Sequence, residues 1–190
     1  MGEIRIIAGT HRGRTLKSFT NDLSVRPILA RIKKSVFDIL TPRLPDAVFL
    51  DLFSGLGTVG IEALSRGAQK AVFVEGDRRC VDMINRNLTQ LGLLDRSRVC
   101  QRNVVQGLSF LHESFDLIFM GPPYKDEHKA PLALTSPVIA RIIEAGALKP
   151  GGIIIAQHHE NETVTIPDTL YNYRNETYGD TIVSFIRYRT

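Results

Sequence analysis

The sequence predicts an α/β protein built on a mostly parallel sheet, and three observations carry that reading. From residue 47 onward, short apolar runs alternate with amphipathic stretches, the pattern of βα units feeding one sheet. The apolar run at 48–50 passes through Asp51 into Gly55, Gly57 and Gly60 at G-x-G-x-x-G spacing, and Ile61, Glu62, Ala63 and Leu64 continue as helix. Strand, glycine turn and helix in that order form the opening of a nucleotide-type site. The last two runs, 171–177 and 181–189, flank Gly179-Asp180 and read as an antiparallel pair that closes the sheet.

The elements follow in order. Residues 3–8 predict a strand, 9–13 a turn and 14–18 a return strand, a hairpin whose tip carries His11, Arg12 and Arg14. A polar connection over 19–26 leads to Pro27 at a helix N1 position. That helix has Ile28, Ile32, Val36, Ile39 and Leu40 on its apolar face and Arg31, Lys34 and Asp38 opposite, and Thr41-Pro42 ends it. Strands are predicted at 47–51, 70–75, 97–101, 115–120 and 151–156, and helices at 58–66, 78–91, 104–111 and 135–146. The expected organisation is a basic hairpin over 1–20 and an α/β domain over 21–190, within one globular protein.

Charge is unevenly placed. The net charge is +4, yet residues 1–46 carry +5 and the rest −1. A basic excess confined to one end predicts a nucleic-acid contact surface. Cys80 and Cys100 have no metal-ligand spacing, and the adjacent His158 and His159 read as a loop after a strand rather than a metal site. No apolar run is long enough to span a bilayer and the N-terminus has no signal pattern. A cytoplasmic monomer without metal or membrane partner is expected.

The glycine turn lets a ligand approach backbone that a Cβ would screen, and the following helix aims its free N–H groups at a negative group. Glu75 ends the next apolar run, 20 residues past Gly55, where a ribose-binding carboxylate belongs. A nicotinamide cofactor and S-adenosylmethionine both fit that spacing. Asp51 favours the second: a carboxylate inside the turn attracts an ammonium and repels a pyrophosphate.

A second chemical stretch follows the strand at 115–120: Gly121-Pro122-Pro123-Tyr124. It sits at a C-terminal strand end, where open α/β sheets bind ligands. Proline carbonyls there can accept hydrogen bonds from an exocyclic amine, and the tyrosine can stack on a base.

Taken together, the chain resembles the RsmD-type family of small-subunit ribosomal RNA guanine-N2 methyltransferases. The resemblance rests on I-R-I-I-A-G-T-H-R-G-R-T-L at 4–16, R-P at 26–27, D-L-F-S-G-L-G-T-V-G-I-E at 51–62 and V-F-V-E-G-D at 72–77. It continues in F-D-L-I-F-M-G-P-P-Y at 115–124, L-K-P-G-G at 148–152 and Y-G-D-T-I-V-S-F at 178–185. It implies a class I S-adenosylmethionine-dependent methyltransferase fold, Rossmann-like and mostly parallel with an antiparallel C-terminal strand, carrying the hairpin and basic helix in front. It implies S-adenosylmethionine as cofactor, with Asp51, Phe53, Ser54, Gly55 and Gly57 at the methionyl end, Glu75 at the ribose, and Asn103 and Val104 along the adenine. Gly121, Pro122, Pro123 and Tyr124 would hold a flipped guanine, and Arg12, Arg14, Arg26, Arg31 and Lys33 would grip phosphates. The implied partner is small-subunit ribosomal RNA, free or in a small-subunit particle. The chain departs from the family at Gly121, Asn103 and Gln157, where acids are usual, and at Lys34. Gly121 deletes a carboxylate that would hold the guanine amine, so either Asp126 or Glu127 replaces it, turnover is slow, or the chain is an RNA-binding assembly module. A nicotinamide-dependent oxidoreductase is the other alternative.

Overall fold

The computed structural model describes residues 3–19, 28–126 and 128–189, in two compact units, Met1–Arg102 and Asn103–Thr190. In the first unit, β1 (Ile4–Arg5) pairs antiparallel with β2 (Thr15–Leu16). The strands are shorter than predicted, though backbone bonds between Ile6 and Arg14 and between Gly13 and Ile6 carry the hairpin toward its turn. Helix α1 runs Ala30–Leu40; Pro27 and Arg26 lie outside the described residues. It buries Ile32, Val36, Phe37 and Leu40, and Phe37 stacks on Phe49 at 6.2 Å. Ile28 and Ile39 are only half-buried.

The βαβαβ run follows: β3 (Val48–Leu52), α2 (Thr58–Ser65), β4 (Lys70–Glu75), α3 (Arg78–Leu91) and β5 (Ser97–Gln101). β4 lies parallel between β3 and β5, with Leu50 beside Val72 and Val72 beside Arg98. The α3 bounds match the sequence reading because both ends are signalled locally. Asp77 accepts the Arg79 N–H as N-cap, and Gly92 at φ 68° returns its N–H to Leu88 and Thr89. Helix α2 is buried all round, the mark of a helix inside a core. Phe49 and Phe73 are fully buried, each worth roughly 2–3 kcal/mol of burial.

In the second unit, β6 (Phe115–Met120) runs parallel to β7 (Leu148–His159), with Met120 beside Ala156. β9 (Thr181–Tyr188) pairs antiparallel with both β7 and β8 (Leu170–Tyr178). Helix α4 (Thr135–Glu144) buries Val138, Ile139 and Ile142. Two expectations change here. The helix expected at 104–111 is a single 3-10 turn at Val104–Gln106, because Gly107 at φ 123° leaves helical space. The strand expected at 151–156 extends to Leu148 and His159, so His158 and His159 are strand residues, not a loop.

Candidate active site

The first unit builds its site at the C-terminal end of β3. Asp51 points into the turn, and its Oδ2 accepts the Gly60 N–H at 2.9 Å. Gly57, the N-cap of α2, has no side chain to offer, so a neighbouring strand caps the helix instead. Asp51 is 1% exposed and pairs with no cation among the described residues. Burial pushes its carboxyl up to about 8; the Gly60 N–H opposes this and the nearby Glu75 charge adds to it.

Phe53, Gly55 and Gly57 all take positive φ, at 58°, 52° and 73°. For Phe53 that conformation costs on the order of 1 kcal/mol, held in place by its neighbours. The Ser54 hydroxyl donates to the Asp51 carbonyl at 2.6 Å and accepts the Val74 N–H at 3.1 Å, stitching the turn to β4. Glu75 takes the Gly55 N–H on Oε2 at 2.7 Å and the Asp77 N–H on Oε1 at 2.9 Å. Asp51, Phe53, Ser54, Gly55, Gly57 and Glu75 therefore converge on one turn. The third glycine has another duty: a Cβ on Gly60 would fall 2.3 Å from Phe73 Cε1, so it serves helix-on-strand packing.

The donor set suits S-adenosylmethionine. A buried carboxylate without a cation favours an ammonium, and Glu75 keeps lone pairs for ribose hydroxyls beyond the two N–H groups it accepts. Asn103 belongs to the second unit, where its Oδ1 caps the 3-10 turn by accepting the Val105 N–H at 3.0 Å, with Val104 buried beside it.

The second unit builds a ledge at the end of β6. Pro122 is buried, Pro123 exposed, and Gly121 and Tyr124 half-buried. Gln157 and His159 lie two apart on β7 and so share a face. Gln157 Nε2 donates to the Tyr124 hydroxyl at 2.9 Å, and His159 meets the Tyr124 ring edge-on at 5.7 Å. Gly121 is not strained: a Cβ there would sit 3.4 Å from Phe119 Cε1 and 4.0 Å from Gln157 Oε1, ordinary contact distances. Asp126 is committed to its own loop, accepting the His128 and Ala130 N–H groups on Oδ1. Glu127 lies outside the described residues.

The basic set divides. Lys33, expected to grip a phosphate, is not on the surface. It is 3% exposed, its Nζ is 3.2 Å from Glu62 Oε2, and burial pulls its ammonium below the ordinary value while Glu62 pushes it back. Arg14 is exposed but donates to the Gln90 carbonyl at 3.0 Å, at the C-terminus of α3, and His11 Nε2 meets the Leu91 carbonyl there at 3.1 Å. Arg12 and Arg31 are exposed.

Sequence reasoning missed Glu62. Fully buried, it accepts the Ile7 and Ala8 N–H groups at 2.9 and 3.0 Å and Arg66 Nε at 2.8 Å, besides pairing with Lys33. It docks the N-terminal hairpin on α2. A carboxylate in an otherwise apolar helix was the available signal, since such a residue is rarely buried unpaired. The hairpin also rests on Ser65: Gly9 at φ 82° passes so close that a Cβ would lie 1.8 Å from the Ser65 carbonyl oxygen, which accepts the Thr10 N–H at 2.8 Å. Among the described residues no group of three metal-ligating side chains forms, and no helix is long and apolar enough to cross a membrane.

Comparison with known proteins agrees with this geometry. The family model described as "Conserved hypothetical protein 95" matches residues 4–187. The chain is 35% identical to the Bacillus subtilis protein named "Putative rRNA methyltransferase YlbH", covering 98% of this chain and 100% of that one. It is 31% identical to "Ribosomal RNA small subunit methyltransferase D" of Haemophilus influenzae, over 99% of this chain and 94% of the relative. Among solved structures, "Putative methyltransferase yhhF" from Escherichia coli superposes with a TM-score of 0.82 at 29% identity, over 100% of this chain and 99% of that one. The fold is thus the Rossmann-like α/β fold of methyltransferases, and the chain belongs to the RsmD-type family of small-subunit ribosomal RNA methyltransferases.

Proposed function

We propose that this chain transfers a methyl group from S-adenosylmethionine to the N2 amine of a guanine in small-subunit ribosomal RNA. The observation that carries the cofactor is the buried Asp51 carboxylate, which has no cation of its own and faces a turn of left-handed residues. Asp51 and the turn at 53–57 would hold the methionyl end, Glu75 the ribose, and Asn103 with Val104 the adenine. When bound, S-adenosylmethionine would supply a methyl carbon on a sulfonium, which the guanine amine would take with its lone pair as the C–S electron pair returned to sulfur and one amine proton left to water.

The chain's own contribution is alignment. The guanine lone pair is delocalised into the ring, so the amine must be held by both its protons to aim that pair at the methyl carbon. The Pro122 carbonyl takes one, and Tyr124 stacks on the base. Gly121 offers no carboxylate for the other, and a charged acceptor that strengthens in the transition state is worth roughly 1.5–3 kcal/mol, or about 10–100-fold in rate. Residues 1–20, with Arg12 and Arg14, act as a basic appendage to the methyltransferase domain of 21–190, and Arg31 extends the phosphate surface.

Labelled-methyl transfer to unmodified small ribosomal subunits tests this, with native protein beside Gly121→Asp. Label on a guanine N2 with native protein, and a 10–100-fold faster Gly121→Asp, is the expected result. The contact distances at Gly121 leave room for the variant to fold. Label with Gly121→Asp alone would mean a methyltransferase scaffold lacking its acceptor; no label with either would overturn the proposal.

A further inference from the structure

Gln157 is a half-buried amide on the rim of the ledge. It lies on β7 one residue past Ala156, whose parallel partner is Met120, so it stands level with Gly121, just past the C-terminal end of β6. Its two ends face different ways. The Nε2 group donates to the Tyr124 hydroxyl at 2.9 Å. The Oε1 atom lies 4.0 Å from where a Gly121 Cβ would be, beside the position a side chain at 121 would take. A primary amide held by its NH2 presents its carbonyl in a fixed direction. His159, two residues on along the same face, holds the Tyr124 ring from the side, so the phenol that orients Gln157 is itself fixed.

We infer that the Gln157 carbonyl is the second acceptor for the substrate's exocyclic amine, a neutral and weaker stand-in for the charged acceptor that a side chain at position 121 does not supply. This rests on the proposed base-methylating reading. An exocyclic amine has two protons and needs two acceptors. A ring carbonyl presented at the same place would meet an acceptor and be repelled, so Gln157 also selects for a base with an amino group at the reacting edge. The alternative acid, Asp126, is engaged by the backbone of its own loop.

The test is steady-state methyl transfer to small-subunit ribosomal RNA with Gln157→Leu, Gln157→Glu and Tyr124→Phe, each also measured for S-adenosylmethionine affinity and melting temperature. Gln157→Leu should lower kcat about 10-fold or more, with cofactor affinity and melting temperature near native. Gln157→Glu, which keeps an acceptor and accepts the tyrosine proton, should restore the rate. Tyr124→Phe frees the amide to turn and should lower kcat less than Gln157→Leu does. In a Gly121→Asp background the new carboxylate takes over, so Gln157→Leu should cost several-fold less than in the native background. Native kcat in Gln157→Leu, or loss that Gln157→Glu does not rescue, or equal losses in both backgrounds, overturns the inference while leaving the methyltransferase reading standing. No transfer by native protein or by Gly121→Asp would instead remove that reading, and this inference with it.

Discussion

Removing the Glu62 carboxylate should cost this protein far more stability than removing the Lys33 charge it pairs with. Glu62→Ala takes one acceptor away from four donors: the Ile7 and Ala8 N–H groups, Arg66 Nε and Lys33 Nζ. Arg66 is one-tenth exposed and can turn toward Asp38, its second partner. Lys33 is 4% exposed at its side chain and cannot reach water without disturbing α1. Leaving a buried cation without its partner costs about 3–5 kcal/mol, and each unsatisfied N–H adds about 1 kcal/mol or more. The sum is about 5 kcal/mol, a large share of the 5–15 kcal/mol typical of a domain. At ~2–4 °C per kcal/mol for a chain of this size, the melting temperature should fall by roughly 10–20 °C. Lys33→Met is the control: Glu62 keeps Arg66 and both N–H groups, so the loss should be smaller than that of Glu62→Ala. Urea unfolding of native protein and both variants measures this. A Glu62→Ala loss under about 2 kcal/mol, or one no larger than that of Lys33→Met, would refute the reasoning.

Two further outcomes follow from the site. Since burial raises the Asp51 carboxyl to about 8, the native state keeps a proton that the unfolded chain has lost between about pH 4 and 8. In this window the group makes stability fall as pH rises, by at most ~1.4 kcal/mol per pH unit. An arriving ammonium needs the ionised form, so S-adenosylmethionine affinity should rise between pH 6 and 8 with up to one proton released per cofactor. Calorimetry in buffers of different ionisation heat reads that proton, and binding without release would sink the assignment. Separately, Arg12→Ala should weaken RNA binding and lower the salt slope by about one with no change in melting temperature. Arg14→Ala should do both, because Arg14 also caps α3 through the Gln90 carbonyl. An unchanged slope in both variants would remove the hairpin from the RNA footprint.

Much of the fold was legible because its signals are local. The bounds at 70–75, 78–91, 97–101 and 115–120 agree with the sequence reading; apolar runs mark 70–75 and 115–120, and Asp77 and Gly92 bracket 78–91. The 104–111 helix failed because apolar spacing does not register a glycine that must take φ 123°. The cofactor turn was legible through its glycines and acids, but not the division of labour inside it, in which Asp51 caps a helix and Gly60 makes room for Phe73. Lys33 was misplaced for a physical reason: it was read by residue type as one of a basic set, and its partner Glu62 lies 29 positions away, visible only once α1 and α2 pack. Likewise Gln157 was legible only as a residue of unusual type, not as the partner of Tyr124.

The docking of the hairpin sets an order of events in synthesis. Residues 3–19 leave the ribosome before the groups that receive them: the Glu62 carboxylate, the Ser65 carbonyl and the Gln90 and Leu91 carbonyls are made 54 to 80 positions later. This basic segment therefore emerges without its seat and must wait for α2 and α3 to form. During that interval its arginines are free to meet any nearby polyanion, and nascent-chain crosslinking should find them on RNA before the parallel sheet exists. Once α3 is complete, His11 and Arg14 turn to the helix end, and the docked hairpin becomes a marker that the first unit has finished folding.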